Sequence, residues 1–515
     1  MTATDLGEIS ATTAAEHGAP LLEGDTGEWE LVVGLEVHVE LNTRTKMWCG
    51  CATQFGGEPN TNVCPVCTGQ PGALPVVNAQ AVQDATLLGL ALNGEIAPVC
   101  RFHRKNYFYP DLAKNYQISQ YDVPLVHDGW LEVEVPDTED PSAAPVVRRI
   151  RIERLHMEED TGKSMHVGAT GRLHGADRSL IDYNRCGIPL LEIVSRPDVH
   201  DPDTAQAYLR ELQAIVRATG VSDARMEEGS IRCDANVSVR RPGDALGTRT
   251  EIKNLNSVRS LGRAIAYEAR RQISVLEDGG RIVMETRHWD EGRGVTETLR
   301  VKESVTDYRY FPDPDLVEIT SSSAQVDEVR ARLPELPAAT RSRLREAGVA
   351  ADQAATMVVT GLVPWFDEAV QAGASASAVA NWLTGDVAGQ LSSEGVELAE
   401  SGLTGTHVAE LIGLIDDGTL STKLAKQVLT GVIAARGARG PAQVADEQGL
   451  KQVSDEGELR GIVEQVVADN AGTVEAIRGG NDKAIGALVG QVMKQTRGQA
   501  DPRKTNELLR EVIGS

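Results

Sequence analysis

Eight consecutive residues, Gly34-Leu35-Glu36-Val37-His38-Val39-Glu40-Leu41, alternate apolar and polar side chains without a break. In a β-strand this pattern sends Glu36, His38 and Glu40 to one face, about 6–7 Å apart, and Leu35, Val37, Val39 and Leu41 to the other. Two carboxylates and an imidazole in a row suit a hard divalent ion held together with nucleotide phosphates. A solvated outer face would show the same alternation. A second acidic element, Arg154-Leu155-His156-Met157-Glu158-Glu159-Asp160, follows a strand-like run and packs three carboxylates side by side. Such a cluster repels itself unless cations offset it. Arg232-Cys233-Asp234-Ala235-Asn236-Val237-Ser238 and Arg249-Thr250-Glu251-Ile252-Lys253 alternate in the same way. They put Arg232 and Asp234 on one face, and Glu251 and Lys253 on another. Several strands with one polar face each suggest a curved sheet around a polar cavity, where metals and phosphates bind. Arg104-Lys105-Asn106-Tyr107-Phe108-Tyr109 joins cations to aromatics, a mixture that contacts phosphate and stacks a base or terminal adenosine, or that simply packs as a strand. No glycine loop of the Walker or kinase type is present.

All seven cysteines precede position 234. Four of them, Cys49, Cys51, Cys64 and Cys67, form two close pairs, and the segment between the pairs contains Gly56, Gly57, Pro59 and Asn60, which lets it turn back. Four thiols at this spacing suit a closed tetrahedral Zn²⁺ site, which is a structural role because no position is left for water or substrate. Unoccupied reduced thiols and a redox pair are the alternatives. Cys100, Cys186 and Cys233 have no close partner in sequence and read as small buried residues.

The elements that must carry these residues divide the chain. Residues 30–320 alternate β-branched and polar residues with frequent turns, which is strand chemistry. Beyond about residue 325 the composition shifts to Ala, Leu, Glu, Arg and Gln at helical spacing, with Pro334 and Pro337 near the junction. Residues 406–436 read as two helices joined at Asp416-Asp417-Gly418, followed by a polar stretch around Pro441 and a terminal bundle over 456–515. In that bundle Ile485, Leu488, Val489, Val492 and Met493 share one helix face, and Asp501-Pro502 has the form of a helix start. The expected organisation is therefore α+β: a disordered acidic leader (1–28), a large sheet domain (29–324) bearing the cysteine knuckle at 49–67, an all-α domain (325–440) and a helical tail (441–515).

Charge is unevenly spread. The net charge of −24 argues at first against a nucleic-acid partner. Yet residues 1–30 hold seven acidic and no basic residues, whereas the stretch from Lys483 to the end holds six basic and three acidic. Lys483, Lys494, Arg497, Arg503 and Lys504 are thus candidates for contact with nucleic acid. No apolar run approaches the roughly 20 residues of a membrane span. The N-terminus lacks the layout of a signal peptide, so a cytoplasmic location is expected.

Taken in order, the segments GLEVHVEL (34–41), CPVCTGQPGALPVVN (64–78), RKNYFYPDL (104–112), YQISQYD (116–122), RLHMEEDTGKS (154–164), DYNRCGIPLLEIVSRPD (182–198), MEEGSIRCDANVSVR (226–240), TEIKNLNSVRS (250–260) and DYRYFPDPDL (307–316) resemble the B-subunit family of the tRNA-dependent amidotransferases, GatCAB. They span nearly 300 residues. The C-terminal modules fit the helical and tail domains of that family, with weaker motifs. The resemblance implies a cradle domain built on a glutamine-synthetase-like antiparallel sheet, then helical and tail domains. It implies ATP-dependent activation of Glu-tRNA(Gln) or Asp-tRNA(Asn) on the side-chain carboxylate, followed by amidation. The ammonia would come from an amidase A subunit, within a heterotrimer completed by a small C subunit. Carried onto this sequence, the pattern implies Glu36, His38 and Glu159 as Mg²⁺ ligands, with Glu158 close behind. Glu228, Asp234 and Glu251 would serve a second metal or handle ammonia, and Lys105, Arg232 and Lys253 would contact phosphate. No amidase-like serine signature and no cysteine–histidine nucleophile is found, so the chain is not expected to make its own ammonia.

Two other readings remain. A zinc-stabilised tRNA-binding scaffold would need no convergence of carboxylates and imidazole. A free-standing ATP-dependent ligase for small molecules would leave the basic terminal bundle unexplained.

Overall fold

The computed structural model describes residues 12–136, 145–168, 176–301, 308–396, 398–450, 456–496 and 499–514. The alternation read at 34–41 extends over a strand from Gly27 to Glu40. Its odd-numbered side chains, Leu31, Val33, Leu35, Val37 and Val39, are buried and its even-numbered polar ones half-buried from Glu36 on. Burying each such aliphatic side chain contributes about 1.5–3 kcal/mol, so the apolar face determines which way the polar face points.

This strand lies at the centre of a 13-stranded sheet. The order across the sheet is Val295–Val301, Glu285–Asp290, Thr250–Leu255, Ile231–Arg240, Gly27–Glu40, Pro189–Ser195, Val146–Glu159, Tyr116–Ser119, His103–Asn106 and Phe311–Pro312. Strand Val126–Val135 pairs with Val146–Glu159 off this path. The expected antiparallel sheet holds with one exception, since Thr250–Leu255 runs parallel to Glu285–Asp290. The helix Val258–Glu277 provides the crossover that such a pairing requires. Helices Ala79–Ala91, Pro202–Thr219 and Val258–Glu277 share one core with the sheet's apolar face. Asp201 caps the second by accepting from Thr204 N, and Gly220 ends it in the left-handed region.

The chain forms two compact units that meet at Pro337 and Ala338. The sheet unit therefore runs past the expected boundary at 324. Helix Ser323–Arg330 and the segment after it place Val326, Val329, Leu333 and Leu336 on the sheet core, so the shift in composition comes before the end of the unit. The second unit is helical and has two cores, one drawn from Leu344 to Ala445 and one from Leu459 to Ile513. The helices expected over 406–436 are Gly405–Asp416 and Thr422–Ala434. Pro441, expected to open the tail, instead starts helix Pro441–Glu447, whose Val444 and Ala445 belong to the first of these cores. Proline fits the first turn of a helix, so there it marks an element rather than a linker.

The expected disordered leader also needs correction over residues 12–28; residues 1–11 lie outside the described residues. Ala14 is buried and its N–H donates to Glu30. Thr12 Oγ1 donates to Asp198 at 3.1 Å, and Arg148 and Arg240 donate to the carbonyls of Gly18 and Thr12. Leu22–Gly24 pairs with the start of the central strand. Composition missed this because the partners are supplied by arginines far away in sequence. No helix among the described residues is long and apolar enough to cross a membrane.

Candidate active site and cysteine cluster

Strand register assembles the site. On the central strand His38 lies opposite Glu192 on one side and Arg232 on the other, and Glu192 lies opposite His156 in turn. The rung His156–Glu192–His38–Arg232 thus crosses four strands. His38 Nε2 is 3.4 Å from Glu192 and 3.8 Å from Glu158. His156 Nε2 is 3.4 Å from Glu192 and 3.9 Å from Glu158. Ser119 Oγ donates to Glu158 at 3.2 Å. His38, Glu158 and Glu192 each offer a ligand atom within 4.8 Å of the others, a spacing one cation can span.

The electrostatics follow from this crowding. Burial would lower the pKa of His38, but Glu192 and Glu158 outweigh it and raise it to about 9. His156 is raised in the same way, mainly by Glu192. Glu192 is held well below the usual carboxylate range despite its burial, because both imidazoles face it. Glu36 is pushed up by burial and then by the charges of Glu192 and Glu251, while Asn236 donates to it at 2.7 Å.

Around this centre lie the expected phosphate-binding side chains. Lys105 has no ion-pair partner among the described residues and sits 5.2 Å from the Tyr308 ring. Burial works against its charge, yet Glu158 raises its pKa. Lys253 bridges Asp234 at 2.5 Å and Glu251 at 3.1 Å, and Thr286 donates to Glu251. Arg232 is engaged by Asp160 at 2.9 Å and Glu40 at 3.7 Å. Glu40 is pushed up to about 9 by burial and by Asp160 beside it. Asp160 is held low against its burial by Arg232 and Arg185. Tyr121 and Tyr310 stack at 4.3 Å near the cation–aromatic segment.

Two expected site residues lie elsewhere. Glu159, expected as a ligand beside His38, faces the other way. It pairs with Lys114 and accepts from Ile118 N at 3.0 Å. Adjacent strand residues point to opposite faces, so Glu158 and Glu159 cannot both reach His38. Glu228 pairs with Arg225 at 2.7 Å on the turn before strand Ile231–Arg240. Sequence reasoning had missed Glu192 and His156. Their signals were present: a lone carboxylate in the apolar run Pro189–Ser195, and the alternation Arg154, His156, Glu158.

The four cysteines of the knuckle converge. Cys67 Sγ is 3.5 Å from Cys49, 3.7 Å from Cys64 and 3.8 Å from Cys51, and all four sulfurs lie within 4.8 Å of one another. A tetrahedron with Zn–S bonds of about 2.3 Å has sulfur–sulfur edges of about 3.8 Å, so the donor set fits zinc. The thiol of Cys67 is pulled down to about 4, first by Cys49 and against its burial. Cys100, Cys186 and Cys233 are buried and free.

Of the basic residues expected to meet nucleic acid, Lys483, Lys494, Arg503 and Lys504 are exposed on the terminal bundle; Arg497 lies outside the described residues.

Comparison with known proteins accounts for both halves of the chain. Residues 31–327 match the family described as the GatB/GatE catalytic domain, and residues 364–513 match the GatB domain. A protein of Streptomyces coelicolor is 50% identical over 499 residues, covering 96% of this chain and 97% of its own length. One of Salinispora tropica is 52% identical over 501 residues (96% and 98%). One of Carboxydothermus hydrogenoformans is 49% identical over 489 residues (94% and 99%). Each is named as the B subunit of an aspartyl/glutamyl-tRNA(Asn/Gln) amidotransferase. With a match to the catalytic domain that takes in every strand of the polar face, and half of all residues shared with these relatives along almost their full length, the chain belongs to the GatB family.

Proposed function

We propose that this chain is the transamidating subunit of a glutamine-dependent C–N ligase acting on misacylated tRNA. In this reading ATP phosphorylates the side-chain carboxylate of Glu-tRNA(Gln) or Asp-tRNA(Asn). Ammonia released by an amidase partner subunit then displaces the phosphate to give the amide, and a small third subunit completes the heterotrimer. A carboxylate oxygen is a poor leaving group and a phosphate a good one, which is why the first step needs ATP.

The observation that carries this reading is the convergence of His38, Glu158 and Glu192 from three neighbouring strands beside Lys105, which forms no ion pair among the described residues. These three side chains would hold Mg²⁺, which offsets charge on phosphate and carboxylate. Lys105 offers a positive charge to phosphate, and Lys253 places a second one at the rim. Glu36, Asp234 and Glu251 add carboxylates for a second ion or for the proton of incoming ammonium. Tyr121 and Tyr310 offer a stacking surface for a base. The exposed cations of the terminal bundle support tRNA binding there, and the cysteine quartet supports a structural Zn²⁺. The absence of membrane-spanning helices among the described residues is compatible with a cytoplasmic enzyme.

The test is transfer of labelled γ-phosphate from ATP to Glu-tRNA(Gln) and to Asp-tRNA(Asn) by the assembled enzyme. Glu158→Gln and Glu192→Gln should each lower it by about 100-fold or more while tRNA still binds. Undiminished acyl-phosphate formation by both variants would refute the assignment.

A further inference from the structure

Lys46 is 1% exposed and is among the largest fully buried side chains of the chain. Its Nζ donates to the carbonyl of Asn62 at 2.8 Å and to that of Tyr183 at 3.1 Å, and it lies 3.6 Å from Cys67 Sγ. An ammonium has three N–H donors, and these three acceptors use them all. Two of the acceptors are neutral carbonyls. Glu159 is close by, since both side chains border Gly187, but its carboxylate is taken by Lys114. Among the described residues no carboxylate forms an ion pair with Lys46. Burying a cation without a counter-charge is strongly unfavourable. The sulfur of Cys67 is the one partner of the three able to carry a negative charge, which it takes on as a thiolate when it ligates a metal. Four thiols this close stay deprotonated together when a metal ion holds them.

We propose that Lys46 is the built-in counter-cation of a four-thiolate metal site, and that it ties that site to the turn leading into the Glu192 strand. The proposal rests on the zinc reading of the quartet given above. Four thiolates around one divalent ion leave two negative charges in excess, and a buried ammonium halves that excess. The tie is a chain of hydrogen bonds. Lys46 holds the carbonyl of Tyr183, and Met47 N donates to Gly187 O at 2.7 Å. Gly187 N donates to Asp160 O and Asp160 N to Ile188 O, both at 2.9 Å. Arg185 Nε donates to Thr161 O at 2.9 Å. The turn 183–188 thus stands between the thiolates and Asp160, two residues beyond Glu158. Lys46 is a positioning residue for that segment and touches no substrate.

The experiment compares wild type with Lys46→Met, each assembled with its partner subunits. Zinc content is measured first, then the rate at which zinc passes to a chromophoric chelator. Wild type should carry zinc, and the variant should release it at least about tenfold faster, the effect of losing a charged hydrogen bond, with tRNA affinity unchanged. Equal release rates would overturn the role of Lys46 and leave the zinc reading standing. A wild type without zinc would remove the zinc reading, and this inference with it. Should the variant fail to fold, wild type alone decides the matter by amine acetylation and peptide mass analysis. Lys46 should be protected in the zinc-loaded protein and modified after chelation. Equal labelling in both states would overturn the proposal.

Discussion

His38 and Glu192 face each other across neighbouring antiparallel strands with 3.4 Å between Nε2 and Oε2. The carboxylate keeps the imidazole protonated up to about pH 9 when no metal is bound. A ligating imidazole must be neutral, so metal has to displace that proton. Binding of Mg²⁺ near pH 7.5 should therefore release close to one proton per site, and affinity should rise with pH until about 9. Titration calorimetry in two buffers of different ionisation enthalpy measures the release directly. No proton release would show that His38 is not a ligand.

Glu158 and Glu159 are neighbours in sequence but belong to different environments. Glu158→Gln should weaken metal binding with a small effect on stability. Glu159→Gln should leave metal affinity within about twofold of wild type. It should lower stability by about 3–5 kcal/mol, because Lys114 is left buried and unpaired. Denaturant unfolding and metal titration on the same two proteins separate these effects.

Asp198 is fully buried and holds Arg151 through side-chain and backbone bonds of 2.6–3.0 Å, with Thr12 as a further donor. Burial alone would raise its pKa; Arg151 outweighs burial and lowers it. The folded value therefore lies below the unfolded one. The stability this group adds is fully present above the unfolded pKa, about 3.9, and is lost as pH falls through the folded pKa. Asp198→Asn should lower stability near pH 7 and flatten its fall in acid. An unchanged acid limb in pH-dependent unfolding would contradict this role.

Truncation should respect the observed cores. Deleting 451–515 leaves helix Pro441–Glu447 with the core it packs on, so residues 338–450 should keep their helicity while tRNA affinity falls. Within the intact bundle, Lys494→Glu or Lys504→Glu should reduce the salt dependence of tRNA binding by about one counter-ion for each phosphate no longer neutralised. Affinity measured across a salt series reads this slope; an unchanged slope would place the tRNA elsewhere.

Much of this was legible in the sequence because strand periodicity is local. The alternation at 34–41 shows which side chains share the face of His38, and cysteine spacing brings four sulfurs together. The same parity over Arg154–Glu159 places Glu159 with Leu155 and Met157, so its exclusion from the site could have been read there. The pairing of His38 with Glu192 could not be. It depends on the register of strands some 150 positions apart, and a single glutamate in an apolar run carries no phase of its own. The docking of residues 12–20 was hidden for the same reason, since Arg148, Asp198 and Arg240 become partners only once the sheet has formed.

The rung from His156 through Glu192 and His38 to Arg232 draws on four strands, and no two of its members adjoin in sequence. No hairpin or early fragment of the chain contains it. The site exists only after the slow, non-local pairings of the sheet are complete. A nascent or misfolded chain therefore cannot assemble this cluster, and on the function proposed above ATP turnover would report that these four strands have paired.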